Sequence, residues 1–194
     1  DNNKVIALYE ESRSANPDLF WNDKYSPIYE SLFHFLMKTG KTEKAIAILE
    51  EAKIASRQFW EASYSGGYSQ LAKLYAEVGK IPEAIAISLE AKTRDPNFLS
   101  SKSEPGGYTQ LASLYEQNGQ INEAINTMLQ GQEGDANFWA RDYSDPNAFR
   151  LADYYEKSGQ INQAILTLEK IREKNTNYWK TKYYRVCELY DQSG

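Results

Sequence analysis

Apolar and polar residues recur along the chain with the spacing of helices that each bury one face. Tyr68, Leu71, Ala72, Tyr75 and Val78 follow the i, i+3, i+4, i+7 rule, and Ile81, Ala84, Ile85, Ser88 and Ala91 trace a second stripe after Gly79. A glycine between two such stripes, able to take positive φ, ends one helix and turns the chain into the next. The pattern predicts a helical hairpin. Ser26-Pro27 and Asp145-Pro146 read as an N-cap followed by a proline in the first turn.

The hairpin is repeated. Gly40, Gly79, Gly119 and Gly159 lie 39, 40 and 40 residues apart, and Ala45-Ile46, Ala84-Ile85, Ala124-Ile125 and Ala164-Ile165 keep step with them. Leu71 to Gly79, Leu111 to Gly119 and Leu151 to Gly159 are close copies, Leu32 to Gly40 is a looser one, and Val186 to Gly194 is another. At the other edge, Val5 to Glu11 superposes on Ala45 to Glu51. The chain therefore starts inside a second helix and stops at the end of a first helix. The expected division is 1–24, 25–63, 64–103, 104–142, 143–182 and 183–194, with partial units at both edges. One hairpin cannot bury its apolar faces alone, so neighbours must stack and share a core.

These residues resemble the tetratricopeptide repeat, whose signature runs aromatic, Leu, small, Tyr, then Ala, a bulky residue and Pro. One unit offers Tyr68, Leu71, Ala72, Tyr75, Gly79, Ala84, Ser88, Ala91 and Pro96; Ser88 stands where a bulky residue is usual. The next offers Tyr108, Leu111, Ala112, Tyr115, Gly119, Ala124, Met128 and Gly131, and the last Ala148, Leu151, Ala152, Tyr155, Gly159, Ala164, Leu168 and Ile171. The resemblance implies an all-α α-solenoid, a right-handed superhelix of antiparallel helical hairpins. The period departs from the usual 34 or so residues. The surplus follows each second helix, as Phe20 to Tyr25, Phe59 to Tyr64, Phe98 to Ser103, Phe138 to Tyr143 and Tyr178 to Tyr183. It predicts a longer second helix or an extra helical turn, with its aromatic pair packed between repeats. In-phase recurrence favours packing over an aromatic ladder for a ligand, because every repeat must solve the same packing problem.

The resemblance also implies where a ligand would lie, since first helices line the concave groove in such proteins. The groove residues outside the packing signature are Glu30, Ser31, His34 and Lys38, then Ser69, Gln70, Lys73 and Glu77. Thr109, Gln110, Ser113 and Gln117 follow, then Phe149, Arg150, Asp153 and Lys157. Some relatives grip a C-terminal carboxylate with Lys, Asn and Arg from successive repeats. Glu30, His34, Gln70, Gly106 and Gln110 supply no such cation; one repeat on, Ser69, Lys73, Gln110, Pro146 and Arg150 make half a clamp. That ligand class is disfavoured.

Charge and composition narrow the choice further. A net charge of -5 and the absence of a basic run argue against nucleic acid, whose binding depends on clustered Lys and Arg. A mean hydropathy of -0.68 leaves no stretch of roughly 20 apolar residues for membrane insertion. The single cysteine fits a reducing compartment, and one His with one Cys builds no zinc site. No cofactor is expected. The first residue is Asp, not Met, which predicts an excised or processed segment.

His34 as a general base lacks an identifiable nucleophile or carboxylate partner, so an ordinary groove histidine is the preferred reading. Cys187, in an apolar-rich helix, is expected to be a small buried hydrophobe. Gly66-Gly67 and Gly106-Gly107 could cradle an anion, but no G-x-x-x-x-G-K motif accompanies them and tight turns explain them better. The expected role is a non-catalytic scaffold that holds a protein or peptide in its groove. Two alternatives stay open: a self-assembly module, a homo-oligomer stacking through terminal helices where Val186, Leu189 and Tyr190 present an apolar face, or the regulatory arm of a larger enzyme.

Overall fold

A computed structural model of the chain describes residues 2–21, 28–55, 67–95, 98–99, 107–134, 147–174 and 176–193, with side chains left aside at 134, 171–174 and 176–182. These residues form eleven helices and no strand. They are α1 (Asn2–Ala15), α2 (Pro17–Phe20), α3 (Ile28–Lys38), α4 (Thr42–Ala55), α5 (Gly67–Glu77), α6 (Ile81–Arg94), α7 (Gly107–Gln117), α8 (Ile121–Gly134), α9 (Asn147–Lys157), α10 (Ile161–Lys174) and α11 (Thr176–Ser193). The chain is an all-α protein of the helical-hairpin solenoid class. It divides into two compact units, Asp1–Phe98 and Leu99–Gly194.

Each hairpin turn is built in the same way. Gly40, Gly79, Gly119 and Gly159 have φ of 70, 78, 74 and 77. The residue after each glycine donates its N–H to a carbonyl five positions back, as Lys80 does to Tyr75 and Gln160 to Tyr155, both at 2.8 Å. This closure caps the first helix and aims the chain into the second.

In the first unit α3 packs on α4 and α5 on α6, while α4 also packs on α5. Tyr29, Leu32, Leu36, Ala45, Leu49 and Leu71 are buried to within 1%. In the second unit α7, α8, α9, α10 and α11 pack in succession. Its core joins Ala112, Ala124, Met128, Leu151, Ala152, Tyr154, Ala164, Leu168, Val186 and Leu189. Ala45, Ala84, Ala124 and Ala164 are fully buried, so small side chains mark the closest helix approach in every repeat. Ser88 is tolerated in the core because its hydroxyl donates to the Ala84 carbonyl at 2.8 Å.

The described start of the first aromatic extension, Phe20 and Trp21, closes the short helix α2. Asn16 caps α2 by accepting from the Leu19 N–H at 3.1 Å. Phe20 is buried, Trp21 meets it edge-on at 4.8 Å, and Trp21 lies 5.4 Å from the Tyr29 ring of the next hairpin. Phe98 meets Tyr68 edge-on at 6.4 Å. The copies at 59–64 and 138–143, with Tyr25, residues 100–103, and the caps Ser26-Pro27 and Asp145-Pro146, lie outside the described residues. In the last copy the extension runs straight into the following helix, so α11 begins at Thr176, upstream of the expected boundary at 183.

Two expectations about α11 are corrected. Of the apolar face expected at Val186, Leu189 and Tyr190, Val186 and Leu189 are 5% and 1% exposed and belong to the core, while Tyr190 is 51% exposed. Cys187 is exposed, not buried. One residue past Val186 is about 100° round the helix, which turns its thiol away from α10. The glycine reading is sharpened: a Cβ on Gly107 would stand 2.7 Å from the Leu99 Cα. Close backbone approach requires glycine there; Gly66 and Gly106 are outside the described residues.

Candidate functional site

The first helices α3, α5, α7 and α9 carry the candidate groove residues at four fixed distances before the turn glycine: ten, nine, six and two. The nearest pair of these distances from the glycine gives the most exposed side chains. His34, Lys73 and Asp153 (six before) and Lys38, Glu77, Gln117 and Lys157 (two before) are exposed, and Ser113 is half-buried. Farther from the turn the face closes. Glu30, Ser69, Gln70, Gln110 and Arg150 are half-buried, while Ser31 is exposed. Thr109 and Phe149 are buried, at 6% and 9% exposure. The Thr109 hydroxyl donates to Asn147 Oδ1 at 3.2 Å, tying α7 to α9.

Within the first unit the face is held by loose pairs along single helices. His34 Nε2 lies 3.9 Å from Glu30, and Lys73 Nζ lies 3.9 Å from Glu77. Such exposed i, i+4 pairs contribute only about 0.3–0.5 kcal/mol. The second unit instead pairs charges between first helices. Lys157 on α9 pairs with Glu116 on α7, and Arg185 on α11 pairs with Glu156 on α9. Arg185 also reaches Asp153 at 3.5 Å and Glu188 at 3.3 Å. Burial raises the Asp153 carboxyl above its ordinary range, a shift that Arg185 opposes and Glu156 reinforces.

Glu116, Glu156 and Arg185 were not singled out by the sequence reading. Their signal is positional: each Glu stands three residues before a turn glycine, and Arg185 stands nine before Gly194, as Arg150 does before Gly159. Tyr154 is 1% exposed, and its hydroxyl faces this charge cluster. Burial, then the charge of Glu116, raises its phenol far above the ordinary value.

On the second helices of the first unit the charges form a ladder. Arg13 pairs with Glu51, and Lys53 pairs with Glu90. Glu90 also accepts from Tyr68 at 3.0 Å and lies 3.5 Å from Arg94. Burial would raise the Glu90 carboxyl, but hydrogen bonds from Lys53 and Tyr68 and the charges of Lys53 and Arg94 leave it below the usual range. Burial and the bond to Glu90 push Tyr68 up to about 12. Tyr75 bonds Glu50, and Tyr190 bonds Glu169 at 2.8 Å, the same contact at the same repeat positions in each unit.

None of these clusters sets a nucleophile beside a base. Among the described residues no group of three His, Cys, Asp or Glu could hold a metal ion, and no helix is long and apolar enough to cross a membrane.

Models of the tetratricopeptide repeat match residues 105–137 and 147–177, the hairpins α7–α8 and α9–α10. No curated protein matches the sequence. Solved structures do match in fold. MamA is 18% identical with a TM-score of 0.62, over 93% of this chain and 92% of its own. The C-terminal part of a TPR repeat-containing protein from Cytophaga hutchinsonii is 17% identical with a TM-score of 0.64, over 100% and 72%. YrrB, a TPR protein with an unusual peptide-binding site, is 14% identical with a TM-score of 0.56, over 94% and 89%. Two of the chain's hairpins thus match the tetratricopeptide repeat, and the glycines that mark its hairpin turns lie 39 or 40 residues apart. These repeats support a protein-interaction scaffold role.

Proposed function

We propose that the chain is a non-catalytic scaffold that holds a peptide or protein segment against its first helices. The observation that carries this reading is the recurrence, at six and two residues before each turn glycine, of polar side chains that packing leaves exposed: His34, Lys73, Asp153, Lys38, Glu77, Gln117 and Lys157. Core positions between them are filled by the same residue types in each repeat, whereas these vary in charge from repeat to repeat. Variation on a fixed scaffold is how a repeat surface acquires selectivity. Likeness to YrrB extends to the fold, and the ligand class is argued from the exposed face.

Thr109 and Phe149 have structural roles in this reading, and contact with ligand falls to Gln70, Lys73, Gln110 and Arg150 together with the exposed set. The mixture of Lys73, Glu77, Asp153 and Lys157 suits a segment carrying both signs of charge. Peptide-array screening followed by titration calorimetry tests the proposal. Lys73→Glu and Asp153→Lys should each weaken a selected peptide by about 10-fold or more. If peptides selected by the wild-type chain bind both variants and a Gln70/Gln110/Arg150 triple-alanine variant equally well, the first-helix face is not the site.

A further inference from the structure

On the first helices of the second unit, the position six residues before the glycine is held by Ser113, Asp153 and Glu188. This row carries two carboxylates and no cation. Three residues further along, Glu116 and Glu156 are 29% and 24% exposed, and each holds a cation at close range, Lys157 and Arg185. Asp153 and Glu188 are 53% and 55% exposed, and both fall back on the same Arg185, at 3.5 and 3.3 Å. One guanidinium is thus divided among three carboxylates. The half-buried Arg150 acts on the same region, so four carboxylates face three cations. The excess negative charge lies on the two outermost groups, Asp153 and Glu188.

A second feature points into the cluster. Tyr154, beside Asp153 on α9, is 1% exposed, and its hydroxyl is turned toward Glu116 and Asp153 with no hydrogen bond of good geometry. At the same repeat position Leu114 and Leu189 fill the core without a polar atom. A buried polar group left in this way is uncommon, and it calls for a partner that the folded chain does not itself supply. Burial and the charge of Glu156 also hold the Asp153 carboxyl above its ordinary range, a strain that an added cation would relieve.

We propose that Asp153 and Glu188, backed by Tyr154, receive lysine or arginine side chains at alternate positions of an extended partner segment. This occupant rests on the reading of the first helices as the binding face and narrows it, in the second unit, to a basic ligand. Asp153 and Glu188 flank a single guanidinium that touches both. Side chains two residues apart in an extended segment leave on one side about 7 Å from each other, a reach that suits two carboxylates bridged by one such group. Each incoming cation takes one carboxylate, and Arg185 stays with Glu156. At Asp153 the incoming N–H also meets the phenol oxygen of Tyr154, whose own proton is directed to Glu116. An acidic segment would meet the two exposed carboxylates first and be repelled.

The probe is a fluorescent heptapeptide of alternating serine and lysine, titrated by anisotropy into the 194-residue chain at about 50 mM salt. Binding should saturate, and it should weaken by about 10-fold or more in the Asp153→Asn, Glu188→Gln double variant and again in wild type at about 300 mM salt. Both side chains are exposed, so the far-UV circular dichroism and the melting of the double variant should match wild type. Tyr154→Phe keeps the ring in the core and should weaken the peptide by about 3-fold. Failure to saturate at millimolar peptide, equal affinity for the double variant, or equal affinity for a serine–glutamate peptide of the same length each overturns the proposal. Full affinity in Tyr154→Phe overturns the placement of the cation against the phenol. Spermidine bound as tightly through the same two carboxylates makes a polyamine the occupant and overturns the assignment to a polypeptide. The two readings fail separately. If array-selected peptides respond to Lys73→Glu and to the triple-alanine variant while the lysine peptide does not bind, the basic occupant alone falls. If selected peptides ignore those changes while the lysine peptide still depends on Asp153 and Glu188, the wider reading of the face falls and the acidic site remains.

Discussion

The two units share turn geometry, helix lengths and core positions, but they place their ion pairs on opposite sides of the hairpin. In the first unit cations and glutamates link the second helices, through Arg13–Glu51 and Lys53–Glu90. At the matching positions the second unit carries Gln130, Gln132, Lys170 and Arg172, and its described inter-repeat pairs lie on first helices instead, through Lys157–Glu116 and Arg185–Glu156. The fold is indifferent to which side is used, since surface pairs contribute little to stability. Ligand binding is not indifferent. Lys73 is 71% exposed and only loosely paired, whereas Lys157 and Arg185 each hold a carboxylate from the neighbouring repeat. A ligand approaching the second unit must displace those pairs or add to them.

The largest effect expected is on the cores the two units have in common. Leu71→Ala and Leu151→Ala each empty a site that is 1% exposed and should cost about 2–5 kcal/mol. Hydrogen exchange followed by mass spectrometry should show the loss of protection concentrated in the unit that carries the substitution, because stacked repeats communicate through nearest neighbours. Equal loss in both units would break the comparison by showing one cooperative block. Gly107→Ala should cost about 1–3 kcal/mol by forcing α7 off the Leu99 backbone, read from the urea midpoint.

Much of this was legible before any coordinates. Gly40, Gly79, Gly119 and Gly159 announced the turns because only a residue tolerant of positive φ fits there four times in phase, and the buried alanines announced the close helix approach. The charge placement was harder to read. Glu116 and Lys157 are 41 residues apart, and Glu156 and Arg185 are 29, because the last repeat is shorter and Arg185 stands nine residues before its glycine where Lys157 stands two. A fixed period therefore finds the first pair and misses the second. Cys187 was misread for a different reason: its repeat position is buried in α5, α7 and α9, where Ala72, Ala112 and Ala152 fill it, but is exposed in α11. Phe149 shows the limit of assigning a face by position alone, since a bulky apolar side chain at a groove position finds packing wherever the neighbouring helix offers it.

Glu90→Gln tests the ladder and has a definite pH signature. The Glu90 carboxyl is held below its ordinary value, so its contribution to stability is present above the usual carboxylate range and is lost as pH falls through the folded-state value. Wild type should exceed Glu90→Gln by about 1 kcal/mol or less near neutrality, the small size reflecting a side chain one-third exposed, and the gap should close on acidification. A gap that widens at low pH would mean that the ladder does not hold the charged form. Lys157→Gln, on an exposed pair of the second unit, should change stability by about 0.5 kcal/mol or less.

A substitution expected to cost nothing is the most informative about the second unit. Tyr154 stands five residues before its turn glycine, where the other repeats carry Phe35, Leu74, Leu114 and Leu189. Its ring fills the same core space, but it brings a hydroxyl into a site where the other repeats bring none, beside a carboxylate already engaged by Lys157. The hydroxyl is buried and makes no hydrogen bond of good geometry. Removing an unsatisfied buried group recovers its desolvation cost, so Tyr154→Phe should leave stability unchanged or raise it by up to about 1 kcal/mol. A clear loss would show instead that the phenol is a working member of the Glu116–Lys157 cluster. In that case the charge cluster of the second unit would be anchored in its core, while the ladder of the first stays on the surface, and the contrast between the units would reach deeper than their ion pairs.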